Sequence, residues 1–309
     1  MPSLVSIGIP CYNAARWIEA AVQSALDQSW PNKEIIVVDD DSTDNTVQIL
    51  GKFGDAIQVQ QAAHGGANHA RNLLLKAARG EWIQYLDADD YLRPEKIERQ
   101  FIEAKTPAEA DIIYSPVLVE NWKASLPLPL EVEPIDSDAD IYTQLLRWQL
   151  PQTSGALWRK SALESIGAWD ENPTQLCDEH DCYFRALKAD CRFLFAPTAN
   201  AVYRIWSEAT RSHSNQRPVI SSRTALCEAL RDWLQARGAW TPEHEQVLGQ
   251  SFLEMARKLA ADDLSFGARY HAARKHHIHL AGPAAPQTYR FVYRALGFRA
   301  AELVARTLR

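Results

Sequence analysis

The chain has 309 residues, 46% hydrophobic and 23% charged, the composition of a soluble globular protein with one large domain or two smaller ones. Its formal net charge of -6 removes the overall basic field that a nucleic-acid partner would require, although from Arg269 onward eight Arg and Lys face one acid, Glu302. Five scattered cysteines form no C-x-x-C pair, no apolar run reaches the roughly 18 residues that span a bilayer, and no signal-peptide pattern opens the chain, so the expectation is a cytoplasmic protein.

Short apolar runs alternate with stretches of helical spacing through the first third, which specifies an α/β fold. LVSIGIP, Leu4 to Pro10, predicts a strand, and Asn13 then caps a helix with Trp17, Ile18, Ala21, Val22 and Ala25 on one face. EIIVVDDDS, Glu34 to Ser42, reads as a fully buried strand that ends in acids. AIQVQQA, Ala56 to Ala62, gives a third strand, GGANHARNLLLKAAR, Gly65 to Arg79, a glycine-led turn and helix, and WIQYL, Trp82 to Leu86, a fourth strand. Two carboxylate clusters therefore sit just past strand C-termini, where open parallel sheets bind ligands. Asp87, Asp89 and Asp90 repel one another and call for a positive partner, a role a metal ion would fill.

Asp111 to Val119 predicts another strand, and the Pro-rich, acidic segment from Glu120 to Asp140 a surface loop. A helix from Ile141 to Leu150, a strand and helix in TSGALWRKSALESIG, and a helix near Glu179 to Ala189 follow. Beyond Pro218 the period is helical, and GPAAP, Gly282 to Pro286, precedes a last helix, Gln287 to Leu308.

Four motifs, IPCYNAARWIEAAVQSALDQ, VVDDDSTDNT, HGGANHARN and YLDADDYLRP, line up in the order of the inverting GT-A glycosyltransferases of family 2, which the chain resembles over roughly Leu4 to Trp206. The resemblance implies a Rossmann-like nucleotide-binding half with a mixed sheet, plus a helical C-terminal extension. It places Pro10, Tyr12 and Asn13 against a nucleotide base, Asp39 and Asp40 at the base edge with Asp40 receiving the uracil N–H, and Gly66 and Arg71 at an anion site. Asp87, Ala88 and Asp89 match a D-x-D triplet, with Asp89 the ligand of Mn²⁺ or Mg²⁺. QLCDEHDCYFRAL resembles the segment that carries the general base, with Glu179 in the base position and Asp178 beside it in the reverse of the family's order, so either carboxylate could serve. Asp181 falls on another helix face, and His180 is a reserve candidate near the acceptor. AVYRIWSEAT resembles a Y-R-x-H element near the donor phosphates, which brings in Arg204, either to meet a phosphate or to pack on Tyr203 or Trp206, and puts Trp206 where some members have a metal-binding His. By analogy Trp158 and Arg159 would face the acceptor.

These assignments divide the chain into a catalytic domain over 1–215, with nucleotide-sugar binding over about 1–115 and acceptor binding over about 116–215, and a helical region over 216–309. They describe an inverting transferase that takes a sugar from a nucleotide sugar, with UDP favoured, to a hydroxyl acceptor in surface polysaccharide or glycolipid synthesis. Two alternatives stay open: a sugar nucleotidyltransferase, which should show a Gly-rich, Arg-containing loop where this chain has PCYNAARW, and a GT-A binding module that has lost catalysis. In the last helix Tyr289, Val292, Tyr293, Leu296, Ala300, Leu303 and Val304 share a face opposite Arg290, Arg294, Arg299 and Arg306. That face suits packing on the chain itself, a homodimer, or the inner surface of a membrane bearing a lipid-linked glycan acceptor.

Overall fold

The computed structural model describes residues 2–123, 126–172, 176–206 and 216–307. Gln175, Ser207 to Thr210 and Leu308 of the segments quoted above, and the boundary expected at residue 215, lie outside the described residues. The chain divides into two compact units, Met1–Ser137 with Leu150–Glu208, and Asp138–Gln149 with Ala209–Arg309.

The first unit is organised by β1 (Val5–Cys11), whose seven residues are all buried. It runs parallel to β2 (Lys33–Asp39) on one side and to β4 (Trp82–Tyr85) on the other, and β2 in turn pairs with β3 (Gln58–Gln61), a polar, exposed edge. The chain thus builds outward from β1 to β2 and β3, then crosses back to place β4 on the opposite flank. This reversal puts the topological switch between β1 and β4, where such sheets open a crevice at their carboxyl ends. Pro10 fits the opening: Gly8 O bonds Leu86 N at 3.0 Å, and two residues on, past the end of β4, Pro10 needs no N–H on that side.

Helices α1 (Ile18–Leu26), α2 (Thr46–Leu50), α3 (Ala67–Ala77) and α4 (Lys96–Glu103) link these strands and cover the sheet. Asn13 does not cap α1, contrary to expectation; Trp17 occupies that position, and Asn13, at φ 48°, makes the turn after β1. Helix α4 starts after Glu95. Gly8 lets α3 close on β1, because a Cβ there would meet Leu74 Cδ1 at 3.3 Å.

The predicted strand over Asp111 to Val119 is two strands in different sheets. β6 (Ile112–Tyr114) extends the central sheet, while β7 (Val117–Lys123) joins a second one with β5 (Tyr91–Leu92), β8 (Leu126–Pro127), β9 (Glu131–Glu133) and β12 (Ala201–Ile205). The central sheet is completed by β10 (Ala156–Arg159), antiparallel between β4 and β6, and β11 (Phe193–Phe195), giving the order β11-β6-β10-β4-β1-β2-β3. Helices α6 (Lys160–Ser165) and α7 (Asp178–Lys188) follow β10.

The second unit contains α5 (Ile141–Leu146), which the sequence reading had assigned to the acceptor part, with α8 (Gln216–Ala236), α9 (Pro242–Asp262), α10 (Leu264–Ala273) and α11 (Gln287–Thr307). The single apolar face predicted for α11 is interrupted: Gly297, at φ 80°, breaks the helix. Tyr289, Phe298 and Ala301 are buried against Leu253, Ala256 and Ala260 of α9, with Val292 and Tyr293 packed at the margin. Phe291, Leu296, Leu303 and Val304 remain exposed. Glu302, the single acid of the tail, is buried and accepts from Arg257 Nε and Tyr289 Oη, each at 2.7 Å.

Leu74→Ala would open a cavity at the α3–β1 contact, since Leu74 is 1% exposed. The expected loss is about 2–5 kcal/mol in urea unfolding, with the α3 side chains loosened together. An unchanged midpoint would show that α3 is not held through this contact.

Candidate functional site

Three turns leave the carboxyl ends of β1, β2 and β4. The first two are cross-braced: Asn13 N donates to Ser42 Oγ at 2.9 Å, Thr43 N donates to Asn13 Oδ1 at 2.8 Å, and Asp44 accepts from Ala15 N at 3.1 Å and Thr46 N at 2.9 Å. Asp39, 2% exposed, turns its own chain by accepting from Ser42 N at 3.2 Å. Asp40, equally buried, binds the glycine turn ahead of α3: its two oxygens accept from Gly65 N and Gly66 N, both at 2.8 Å. Asp40 is therefore part of the scaffold. Gly66 caps α3 at φ 89°, a conformation that L side chains rarely adopt. His64, which sequence reasoning passed over, reaches Asp40 Oδ2 at 2.9 Å and lays its ring 4.6 Å from that of Tyr12. Tyr12 is half exposed, so the two rings form an accessible shelf.

Arg71 is not an open phosphate ligand. It is 5% exposed, donating from Nη1 to Asn68 Oδ1 at 2.9 Å and from Nη2 to Asp87 Oδ1 at 2.8 Å and Thr153 Oγ1 at 3.3 Å. Trp169 lies 4.6 Å from the guanidinium carbon. Burial works against its charge, but Asp87, Glu179 and Asp178 outweigh it and hold the proton more firmly than usual. Thr153 passes the contact on, donating to Glu179 Oε1 at 2.7 Å, and Asp178 Oδ2 stands 4.0 Å from Arg71 Nη1. Thr153 was missed in the sequence, where Thr153-Ser154-Gly155 after Pro151 was its only local mark.

The three acids after β4 share one tight turn, closed by Asp90 N donating to Asp87 O at 3.0 Å. Arg71 neutralises Asp87. Asp90 is 1% exposed and accepts from Arg204 N at 2.9 Å and Ser154 Oγ at 3.3 Å; burial, then Asp89 and Asp87, raise its pKa well above the usual range. Asp89 is raised by burial and by Asp87, opposed by a hydrogen bond from Trp206 Nε1 to Oδ2 at 2.9 Å. Ala88, 9% exposed, is the turn's inward side chain.

This turn fits a hard divalent cation. Its donors are carboxylate oxygens, and Asp89 carries a charge disfavoured by burial whose carboxylate, among the described residues, is paired with no cationic side chain. The described residues contain no group of three His, Cys, Asp or Glu able to enclose an ion, so further ligands would come from a bound diphosphate and water.

Trp158 and Arg159 do not face the acid turn, while Arg204 and His180 are held by packing and pairing partners. Beside the acid turn, Arg204 Nε pairs with Glu120 at 3.2 Å, Nη1 donates to Asp89 O at 3.1 Å, and its guanidinium stacks 4.4 Å from Tyr91 and 5.0 Å from Trp17. Trp158, 1% exposed, stacks on Tyr183 at 5.3 Å. Because β10 is antiparallel to β4, Arg159 pairs with Trp82 at the opposite end of the sheet from the acid turn, where it binds Glu81. His180, 4% exposed, packs edge-on to Tyr183 at 6.1 Å. Asp181 is tied to Arg185 at 2.7 Å.

The Glycosyl transferase family 2 model matches residues 6–167. Chondroitin synthase of Pasteurella multocida is 39% identical over 111 residues, 34% of this chain and 12% of that protein. The UDP-Glc:alpha-D-GlcNAc-diphosphoundecaprenol beta-1,3-glucosyltransferase WfaP of Escherichia coli is 46% identical over 99 residues, 31% of this chain and 39% of the relative. The match thus spans well under two thirds of either relative. In structure, TarS 1-349 of S. aureus, solved with UDP-GlcNAc, aligns with a TM-score of 0.65 at 17% identity over 99% of this chain and 92% of its own. Mannosyltransferase PcManGT of Pyrobaculum calidifontis, solved with GDP-Man and Mn²⁺, aligns at 0.55 and 17% over 100% and 87%. These likenesses establish the GT-A fold, and the matched domain settles the family: the chain belongs to glycosyl transferase family 2.

Proposed function

We propose that the protein is an inverting transferase that moves a sugar from a nucleotide sugar, with UDP as carrier, to an acceptor hydroxyl in polysaccharide or glycolipid synthesis. The Arg71 bridge carries this reading: one guanidinium holds Asp87 directly and Glu179 through Thr153, joining the acid turn to a carboxylate at a helix start. The UDP-GlcNAc complex of TarS and the UDP-Glc donor of the E. coli relative support UDP, and that relative's diphosphoundecaprenol-linked substrate supports a lipid-linked acceptor. Tyr12 and His64 would take the base, with Asp40 fixing the turn beneath it.

In the transfer, the acceptor oxygen attacks the anomeric carbon while the bond to the phosphate oxygen breaks, its electron pair leaves on the nucleoside diphosphate, and the acceptor proton passes to Glu179. A single displacement inverts the centre, so an α donor gives a β linkage. Glu179 is taken as the base because Thr153 orients one of its oxygens, whereas the Asp178 carboxylate stands 4.0 Å from Arg71 Nη1. Mn²⁺ or Mg²⁺ at Asp89 would stabilise the charge that develops on the diphosphate.

No described helix is long and apolar enough to cross a membrane. The exposed Phe291, Leu296, Leu303 and Val304 of α11, beside Arg290, Arg294, Arg299 and Arg306, support peripheral contact with anionic lipid.

Glu179→Gln is expected to leave nucleotide binding intact and slow single-turnover transfer about 100-fold or more, with Asp178→Asn milder. The reverse ranking moves the base to Asp178. For Asp89→Asn, turnover and the cation dependence of UDP binding should both disappear, while the melting temperature of the ligand-free protein rises as a disfavoured charge is removed. Cation-dependent UDP binding that survives the change would remove Asp89 from the site. Finally, the full chain should co-sediment with phosphatidylserine vesicles at low salt and detach as salt rises, and Phe291→Asp with Leu303→Asp should abolish pelleting. Protein that stays in the supernatant at low salt excludes the lipid contact.

A further inference from the structure

Beside the acid turn, at the edge of the second sheet, three indoles and a guanidinium pack together. The Trp17 ring meets Trp122 edge-on at 5.1 Å and lies 5.9 Å from Trp206. The Arg16 guanidinium covers all three, at 4.4 Å from Trp17, 5.6 Å from Trp122 and 5.9 Å from Trp206. Glu120 fixes the group from below, accepting from Trp122 Nε1 at 2.9 Å and pairing with Arg204, which underlies Trp17. Trp206 ties it to the acid turn through Asp89.

Three features point to a ligand. Arg16 is exposed and, among the described residues, meets no carboxylate, so its charge is held in place by ring faces alone. Trp206 keeps 37% of its surface exposed and Trp122 is partly exposed. Trp17 Nε1 is a buried donor with no hydrogen-bond partner among the described residues. A guanidinium fixed over aromatic rings is a preorganised receptor for an oxyanion, and indole faces accept the C–H face of a sugar ring.

Resting on the transferase reading above, we propose that Arg16, Trp122 and Trp206 form the acceptor subsite and take a hexose ring bearing an anionic group, either phosphate or carboxylate. The ring lies on the indoles and the anion meets Arg16. The Tyr12–His64 shelf shares no residue with this cluster, so nucleotide and acceptor would occupy different residues.

Saturation-transfer NMR on the full chain with UDP and Mg²⁺ tests this with glucose 1-phosphate, methyl glucuronide and neutral methyl glucoside as probes. At least one anionic probe should bind about tenfold or more tightly than the glucoside. Arg16→Gln should erase that preference, Trp206→Leu should remove the ring signal, and the calorimetric affinity of Arg16→Gln for UDP should stay unchanged. Binding of the phosphate probe alone identifies a glycosyl phosphate as acceptor, and binding of the glucuronide alone a uronate. Equal binding of the neutral glucoside, or an anion preference that survives Arg16→Gln, overturns the proposal. UDP binding without any sugar signal overturns it while leaving the transferase reading intact. Sugar binding to Arg16 and Trp206 without UDP binding keeps the subsite and removes the nucleotide reading.

Discussion

The buried guanidinium of Arg71 is the interaction on which the site depends. A charge this enclosed is stable only with carboxylate and hydrogen-bond partners in place, and removing one partner of such a pair typically costs about 3–5 kcal/mol. Its partners come from α3 itself (Asn68), the turn after β4 (Asp87) and the turn before β10 (Thr153), with Trp169 covering the face. The guanidinium is planar with a fixed fork of donors, so it sets the directions of its neighbours as well as their charge. Three chain segments far apart in sequence are thereby fixed at one point.

That arrangement leaves the acid turn unevenly balanced. Arg71 serves Asp87, while Asp90 has neutral donors and Asp89 a single indole N–H. Burial raises both Asp89 and Asp90, Asp87 adds to each, and Asp89 adds to Asp90. The sign follows directly: a carboxyl whose folded pKa exceeds its unfolded value favours folding while protonated, and that contribution is lost as pH rises through the folded value. At neutral pH the turn therefore opposes folding, a stored cost that a cation and diphosphate would relieve.

Much of the site was legible because its motifs are local. A strand of buried residues followed by acids, or a Gly-Gly pair before a helix, fixes both the element and its end within ten residues. Partners distant in sequence were not legible. Arg204 finds Glu120 across parallel strands β12 and β7, and nothing in Y-R-I-W announces that pairing. The four-residue strand β10 reads the same in either direction, yet its antiparallel course decides that Trp158 and Arg159 end up away from the acids. In α11 the helical wheel assumed a continuous helix, and Gly297 divides it, so residues sharing a predicted face are split between core and surface. Likewise α5 had no composition of its own to separate it from its flanks, and its contacts with α9, such as Ser251 Oγ on Leu146 O at 2.6 Å, assign it to the second unit.

Helix α3 connects the two sides of the site mechanically. Its first turn is pinned by Asp40, whose oxygens both accept glycine N–H groups, so the acid expected to read a base edge is also the clamp on the helix start. Four and five residues beyond Gly66 come Ala70, buried, and Arg71, the hub of the Asp87 and Thr153–Glu179 contacts. An eleven-residue helix seated on β1 through Gly8 and Leu74 transmits position without bending, because its hydrogen-bonded backbone has no glycine or proline inside it. A shift at the glycine turn therefore moves the Arg71 fork, and with it Asp87 and the Thr153–Glu179 pair. The Tyr12–His64–Asp40 group and the Thr153–Glu179 pair are consequently joined through one rigid element, with the buried charge on α3 and not on a loop.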